Sequence, residues 1–213
     1  VHILMYHQIG DFPTRMPSHR GQYCHRPRFA AQMSMLKRFG YSVVSMDDAV
    51  AGLRGEATLP ARAVVLTFDD GYVDFLECAA PILKAHGYPA TVYAVAGLLG
   101  QASSWVEPEG LRPAPLMNAA QLRQVHEMGF TVGSHTVSHP RLAQVDNRRV
   151  AEELTISKRM LEDVLGSRVD HLCYPYGSHD IRAVHAAADA GYVTGTTCVR
   201  AIATPADDLL TLP

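Results

Sequence analysis

Nothing in this sequence approaches the ~18 consecutive apolar residues of a membrane-spanning helix. The opening VHILMYHQIG has neither a basic leader nor a small-residue cleavage site. The expectation is a soluble chain with no membrane span and no signal peptide, its compartment open between cytoplasm and cell envelope. Charge of one sign is also missing: 19 Lys+Arg against 21 Asp+Glu leave a formal net charge of -2. Without a basic field there is no reason to expect nucleic acid or an anionic membrane as partner, and a neutral or locally charged ligand fits better. The 4 cysteines, Cys24, Cys78, Cys173 and Cys198, stand far apart with no C-x-x-C pair, so neither a zinc knuckle nor a dense disulfide framework is indicated. Internal repeats and low-complexity tracts are absent. What remains is 213 residues, 47% of them hydrophobic, which is material for one core and one domain spanning residues 1–213.

Short apolar runs rich in β-branched and aromatic residues alternate with segments of helical period, the pattern of an α/β fold with mostly parallel strands. The strand candidates are Ile3–Tyr6, Tyr41–Ser45, Ala63–Phe68, Ala90–Val95, Phe130–Gly133, His171–Tyr174 and Tyr192–Thr197, a barrel-sized set. Between them Phe29, Met33 and Leu36 share one helical face, as do Val150, Leu154, Leu161 and Leu165. Gly40, Gly87, Gly129, Gly166 and Gly191 each follow a helical run, where a left-handed cap residue is wanted. The stretch 100–115, GQASSWVEPEGLRPAP, lacks any period and reads as a long loop of the kind that borders a site.

Three strand ends carry residues suited to chemistry. In AVVLTFDDGY a buried strand ends in Asp69 and Asp70. On a regular strand they would face opposite ways, but Gly71 permits a sharp turn that brings both into one site. One carboxylate can then bind a metal while the other stays free as a base; alternatively, either simply caps the helix expected from about Tyr72. In FTVGSHTVSHP, His135 and His139 are four apart, so one helical turn would aim both rings the same way. With 11 histidines in 213 residues, chance alone supplies roughly 0.6 such pairs, so the spacing needs the support of Asp70 from an equivalent strand end. Two imidazoles and one carboxylate leave positions open for water and substrate, as a catalytic metal requires. In HLCYPYG, Pro175 and Gly177 force the backbone out of the ladder, which either frees an N–H at Tyr176 for an oxyanion or merely makes a turn. All three lie where sites assemble in parallel barrels and open sheets.

TFDDGY, SHTVSH and YPYG, in that order, together with LMYHQIG, LPARAVVLTFDDGY, AAPILKAHGYPATVY and the closing LLTLP, resemble the polysaccharide deacetylases over nearly the whole chain. This is carbohydrate esterase family four, whose shared unit is the NodB homology domain. The resemblance implies a distorted (β/α)7-type barrel. It also implies a metal-dependent hydrolase that removes acetyl groups from N-acetylated amino sugars of a polysaccharide or oligosaccharide. On that likeness Asp69 is the general base, Asp70, His135 and His139 hold one divalent ion, and the Tyr176 amide serves the oxyanion. Zinc is the default ion, with nickel, cobalt or iron also suited to this nitrogen and oxygen set. Trp105 resembles a loop tryptophan of a family subgroup; it either stacks on a sugar face or pins its loop. Tyr174 and Pro175 are grouped with it as substrate-binding candidates.

Two departures stand out. Cys173 occupies the place of an arginine that orients the base in many members. No histidine follows His185, where many carry a late histidine acid. The general acid is therefore unassigned, and His7 in LMYHQ is the candidate for a supporting role, a buried structural histidine being the alternative. Two rival readings are a glycan-binding relative without catalysis and an iron oxygenase, which can share the two-histidine, one-carboxylate set. Among possible glycans the motif combination most resembles bacterial exopolysaccharide or surface-glycan deacetylases. The basic stretch HRGQYCHRPR, residues 19–28, is either a contact for an acidic glycan or a solvated loop.

Overall fold

Uninterrupted apolar runs such as AVVLTF suit strands covered on both faces, and the structure, a computed structural model describing residues 1–12, 20–109 and 112–213, shows this arrangement. The chain runs β1 (His2–Tyr6), β2 (Gln8–Gly10), β3 (Tyr23–His25), α1 (Arg26–Arg38), β4 (Ser42–Val43), α2 (Met46–Leu53) and β5 (Ala63–Phe68). A π-helical turn at Phe75–Ala79 leads into α3 (Ala80–His86), followed by β6 (Thr91–Ala94), α4 (Ala119–Glu127), β7 (Thr131–Ser134) and α5 (Asn147–Leu165). β8 (His171–Cys173), α6 (Ile181–Asp189) and β9 (Thr194–Thr196) complete the series.

All seven expected strands join one parallel sheet in the order β1-β5-β6-β7-β8-β9, with β4 also on β5. β5 pairs with β1 over Val64–Phe68, so its opposite edge takes β4 at Ala63 and Val64 and β6 at Thr67 and Phe68. The pair β2–β3 forms a separate two-stranded parallel sheet. The curled sheet is the distorted (β/α)7-type barrel expected, open between β1 and β9. The closing segment spans that gap through a Thr196–Leu212 bridge and two backbone bonds between Val1 and Ala203.

Strand alternation sorts the side chains. Val64, Leu66 and Phe68 of β5, Val92 of β6, Val132 of β7 and Leu172 of β8 join the core beneath the helices, with Phe29 and Met33 of α1 and Val150, Leu154 and Leu161 of α5. Val65 faces the other way, into a smaller cluster with Met46, Leu53 and Leu212. The five helix-ending glycines expected as left-handed caps all have positive φ. Among the described residues no helix is long and apolar enough to cross a membrane.

Candidate active site

The barrel's inner layer follows from the same alternation. Because Phe68, Ser134 and Leu172 point toward the helices, their successors Asp69, His135 and Cys173 turn inward at the carboxyl ends of β5, β7 and β8. Backbone bonds fix these ends: Asp69 N–H donates to the Tyr6 carbonyl and His135 N–H to that of Ala94, each at 2.9 Å. Below them Tyr93 fills the barrel, lying so close to Gly133 that a Cβ there would meet its ring at 2.5 Å.

Asp70 joins this layer by an irregular turn. Asp70 and Gly71 are both left-handed, with φ 73 and 74, which rotates the Asp70 side chain from the outer face into the mouth. Among the described residues no helix N–H donates to Asp69 or Asp70, so neither serves as a cap. The histidines converge differently from expectation. Residues 135–140 form no helical turn; Thr136 (φ 67) and His139 (φ 61) are left-handed and swing His139 back over the strand end. Glu153 of α5, 1% exposed, holds that loop. Its carboxylate accepts from the N–H groups of Val137 (2.7 Å) and Ser138 (2.9 Å) and from the Ser138 hydroxyl (2.6 Å), and it pairs with Arg149 at 2.7 Å. Sequence reasoning missed Glu153, whose signal is a carboxylate on the apolar stripe of Val150 and Leu154.

Asp70 Oδ1 stands 3.4 Å from His135 Nε2 and 3.3 Å from His139 Nε2, yet forms no hydrogen bond among the described residues. Three converging lone-pair atoms, all buried and within 4.8 Å of one another, are what a divalent cation fills. The residues fit the ion. The His135 Nδ1 lies 2.8 Å from the Cys173 carbonyl, the backbone contact that fixes a ligand tautomer. Burial opposes charge on Asp70, but the two imidazoles overcome it and hold the carboxyl well below its usual range. Burial likewise opposes charge on His135, and the neighbouring Asp70 and Asp69 carboxylates outweigh it, raising that ring. His139 moves down, because burial dominates there.

Asp69 lies beside this triad without joining it. Cys173 Sγ donates to its Oδ2 at 3.5 Å, His7 Nε2 is 4.0 Å away, and Oδ1 has no hydrogen-bond partner among the described residues. The thiol thus contacts this carboxylate from the position where the family resemblance leads one to expect an orienting arginine. Burial lifts the Asp69 carboxyl above its ordinary range, with Asp70 reinforcing the shift and His7 and His135 opposing it. Burial, with the Asp69 charge, also pushes the Cys173 thiol well up, keeping it an S–H donor.

Trp105 stacks on the His139 ring with centroids 4.3 Å apart, carried there by a helical stretch, Ser104–Glu109. Residues 110 and 111 of that loop, like His19 of the basic stretch, lie outside the described residues. Tyr176 is left-handed at φ 59, its ring edge-on to His139 at 4.6 Å, and the exposed Arg141 guanidinium sits 3.8 Å over the ring. Tyr174 and Pro175 are placed differently from expectation. Both are buried, and the Tyr174 hydroxyl donates to the Leu210 carbonyl at 2.9 Å, so the Tyr174 side chain packs into the core. A cavity of about 1170 Å³ opens in the barrel gap; it reaches Asp69 and Cys173 but is not lined by Asp70, His135 or His139.

The sequence model for polysaccharide deacetylases matches residues 56–195, from the approach to β5 into β9. The chain belongs to that family. Bacillus subtilis YxkH is 26% identical over 196 residues, covering 92% of this chain and 63% of that protein. The Escherichia coli poly-beta-1,6-N-acetyl-D-glucosamine N-deacetylase is 43% identical over 76 residues, 36% of this chain and 10% of that protein. The chain therefore spans under two thirds of both proteins. The Streptococcus pyogenes deacetylase PplD, solved in complex with acetate, superposes with TM-score 0.85 at 27% identity, covering 100% of this chain and 89% of that one.

Proposed function

We propose that this family member is a metal-dependent N-deacetylase that hydrolyses the acetamide of N-acetylated amino sugars in a polysaccharide or oligosaccharide, releasing acetate. One observation carries the reading. A buried Asp70–His135–His139 triad with converging ligand atoms stands beside a second carboxylate, Asp69, that is not part of it. The adjacent free carboxylate is what water activation needs and what an iron oxygenase has no use for. A divalent ion held by Asp70, His135 and His139, zinc by default, would polarise the acetyl carbonyl and acidify a water.

The chain's own residues supply the rest. Asp69 accepts the proton of the attacking water and returns it to the departing amine. His7, 4.0 Å from Asp69 Oδ2, supports the carboxylate charge during that exchange. The Tyr176 amide, turned by its left-handed backbone, donates to the tetrahedral oxyanion; loss of such a donor typically costs ~100- to 1,000-fold in rate. Trp105, half-buried, forms a wall of the mouth against which a sugar ring packs. The names of the related proteins point to an N-acetylated bacterial glycan. Acetate release from chitin oligosaccharides, poly-beta-1,6-N-acetyl-D-glucosamine and peptidoglycan fragments, with metal content measured on the same sample, tests the reading. A fully metal-loaded protein that releases acetate from none of them would sink it.

A further inference from the structure

We infer that Asp69, His135 and Cys173 form a second metal site, overlapping the first at His135, that takes a thiophilic divalent cation such as cadmium or excess zinc. The three side chains share the inner layer at the barrel mouth, all are buried, and their ligand atoms lie within 4.8 Å of one another. Tetrahedral zinc, at ~2.3 Å from sulfur and ~2.0–2.1 Å from nitrogen or oxygen, sets ligand atoms roughly 3.3–3.6 Å apart. The Cys173 Sγ to Asp69 Oδ2 separation of 3.5 Å already meets this, and His135 offers a ring nitrogen within 4.8 Å of the other two ligand atoms.

Two further observations point to a ligand. Among the described residues Asp69, 4% exposed, has an Oδ1 with no hydrogen-bond partner, a lone pair open to an ion. The cavity in the barrel gap is lined by Asp69, Cys173, Thr196, Thr197 and Cys198, which gives an ion a way in from the side of the base. Binding exchanges the Cys173 S–H for a sulfur–metal bond and releases the proton to solvent, with no change of oxidation state. Sulfur makes this triad the softer of the two, so it selects cadmium over the oxygen and nitrogen set of Asp70, His135 and His139. His135 Nδ1 is held at the Cys173 carbonyl, so Nε2 serves either triad and one ion excludes the other. An ion here also sequesters Asp69. That inhibitory consequence rests on the proposed role of Asp69; the binding does not.

The test uses protein in which Cys24, Cys78 and Cys198 are replaced by serine, leaving Cys173 as the sole thiol. Titration with cadmium chloride should raise a thiolate-to-cadmium charge-transfer band that saturates at about one equivalent. His139→Ala in that background keeps the band, while Asp69→Asn and His135→Ala each weaken binding about tenfold or more. Absence of the band from folded single-thiol protein overturns the site, as does a band indifferent to both Asp69→Asn and His135→Ala. Should the triple variant not fold, X-ray absorption at the cadmium edge of the unaltered protein decides: one sulfur with nitrogen and oxygen neighbours supports the triad, and a shell without sulfur refutes it. With each protein measured against its own cadmium-free rate, cadmium should suppress acetate release by the unaltered protein by a larger factor than that by Cys173→Ser; equal fractional suppression refutes the inhibition. No acetate release without cadmium speaks against the deacetylase reading alone, because the absorption band is read independently.

Discussion

On the Asp70 side of the mouth, the His139 loop is fastened by Glu153 at 2.6–2.9 Å, whereas on the opposite side Asp69 has a thiol at 3.5 Å and an imidazole at 4.0 Å. The two carboxylates are neighbours in sequence and equally buried, yet their environments push them in opposite directions, Asp70 down and Asp69 up. The difference suits the two tasks proposed for them, metal ligand for Asp70 and base for Asp69. Ligands gain affinity from being held in place before the ion arrives. A proton carrier must exchange its proton and so cannot be saturated with donors.

The largest effect expected is on the fastened side. His139→Ala should lose stoichiometric metal and all turnover above background; metal retained at one per chain after dialysis would show that His139 is no ligand. Next, Asp69→Asn should keep its metal while turnover falls ~100- to 10,000-fold, checked by metal analysis beside acetate release. Near-normal activity would remove Asp69 as base and erase the division of labour. Glu153→Gln keeps the shape of the side chain but weakens its bonds to the Val137 and Ser138 amides, so metal affinity should drop ~10- to 100-fold with the fold retained. Competition with a chromogenic chelator measures this, and an unchanged affinity would mean that the loop needs no such fastening.

The smallest effect contrasts the two carboxylates in metal-free protein, followed by thermal unfolding with chelator present. Asp69 is raised in the folded state, so folded protein binds more protons than unfolded above the ordinary carboxylate range, and its contribution to stability is lost as pH rises through the folded value. Asp70 is lowered, so its contribution is present above that range and lost as pH falls through the depressed folded value. At neutral pH Asp69→Asn should therefore raise Tm and Asp70→Asn lower it, with ~2–4 °C for each kcal/mol in a chain of this size. Shifts of the same sign would break the contrast.

Much of the site is legible in the amino-acid sequence because its parts sit at strand ends. Asp69, Asp70, His135 and His139 are separated by type and spacing, and Gly71 announces the turn that Asp70 requires. Cys173 is visible as an oddity, but its bond to Asp69 is not, since 104 residues separate them. Nor does the His-x-x-x-His spacing say that its loop is left-handed at Thr136 and His139, because the carboxylate that permits this conformation lies on α5. Tyr174 reads as a substrate-binding candidate, yet the structure buries it, since the Leu210 carbonyl that satisfies its hydroxyl comes from a separate segment 36 residues later.

The sequence alone determines the alternation of strands and helices, the caps that end the helices, and the residue types gathered at the carboxyl ends of the strands, because each rests on local periodicity and backbone preference. Tertiary structure decides which of those residues share a layer, which carboxylate is gripped and which left loose, and where the barrel stays open. Those outcomes depend on contacts between segments far apart in the chain, and no local pattern encodes such distances.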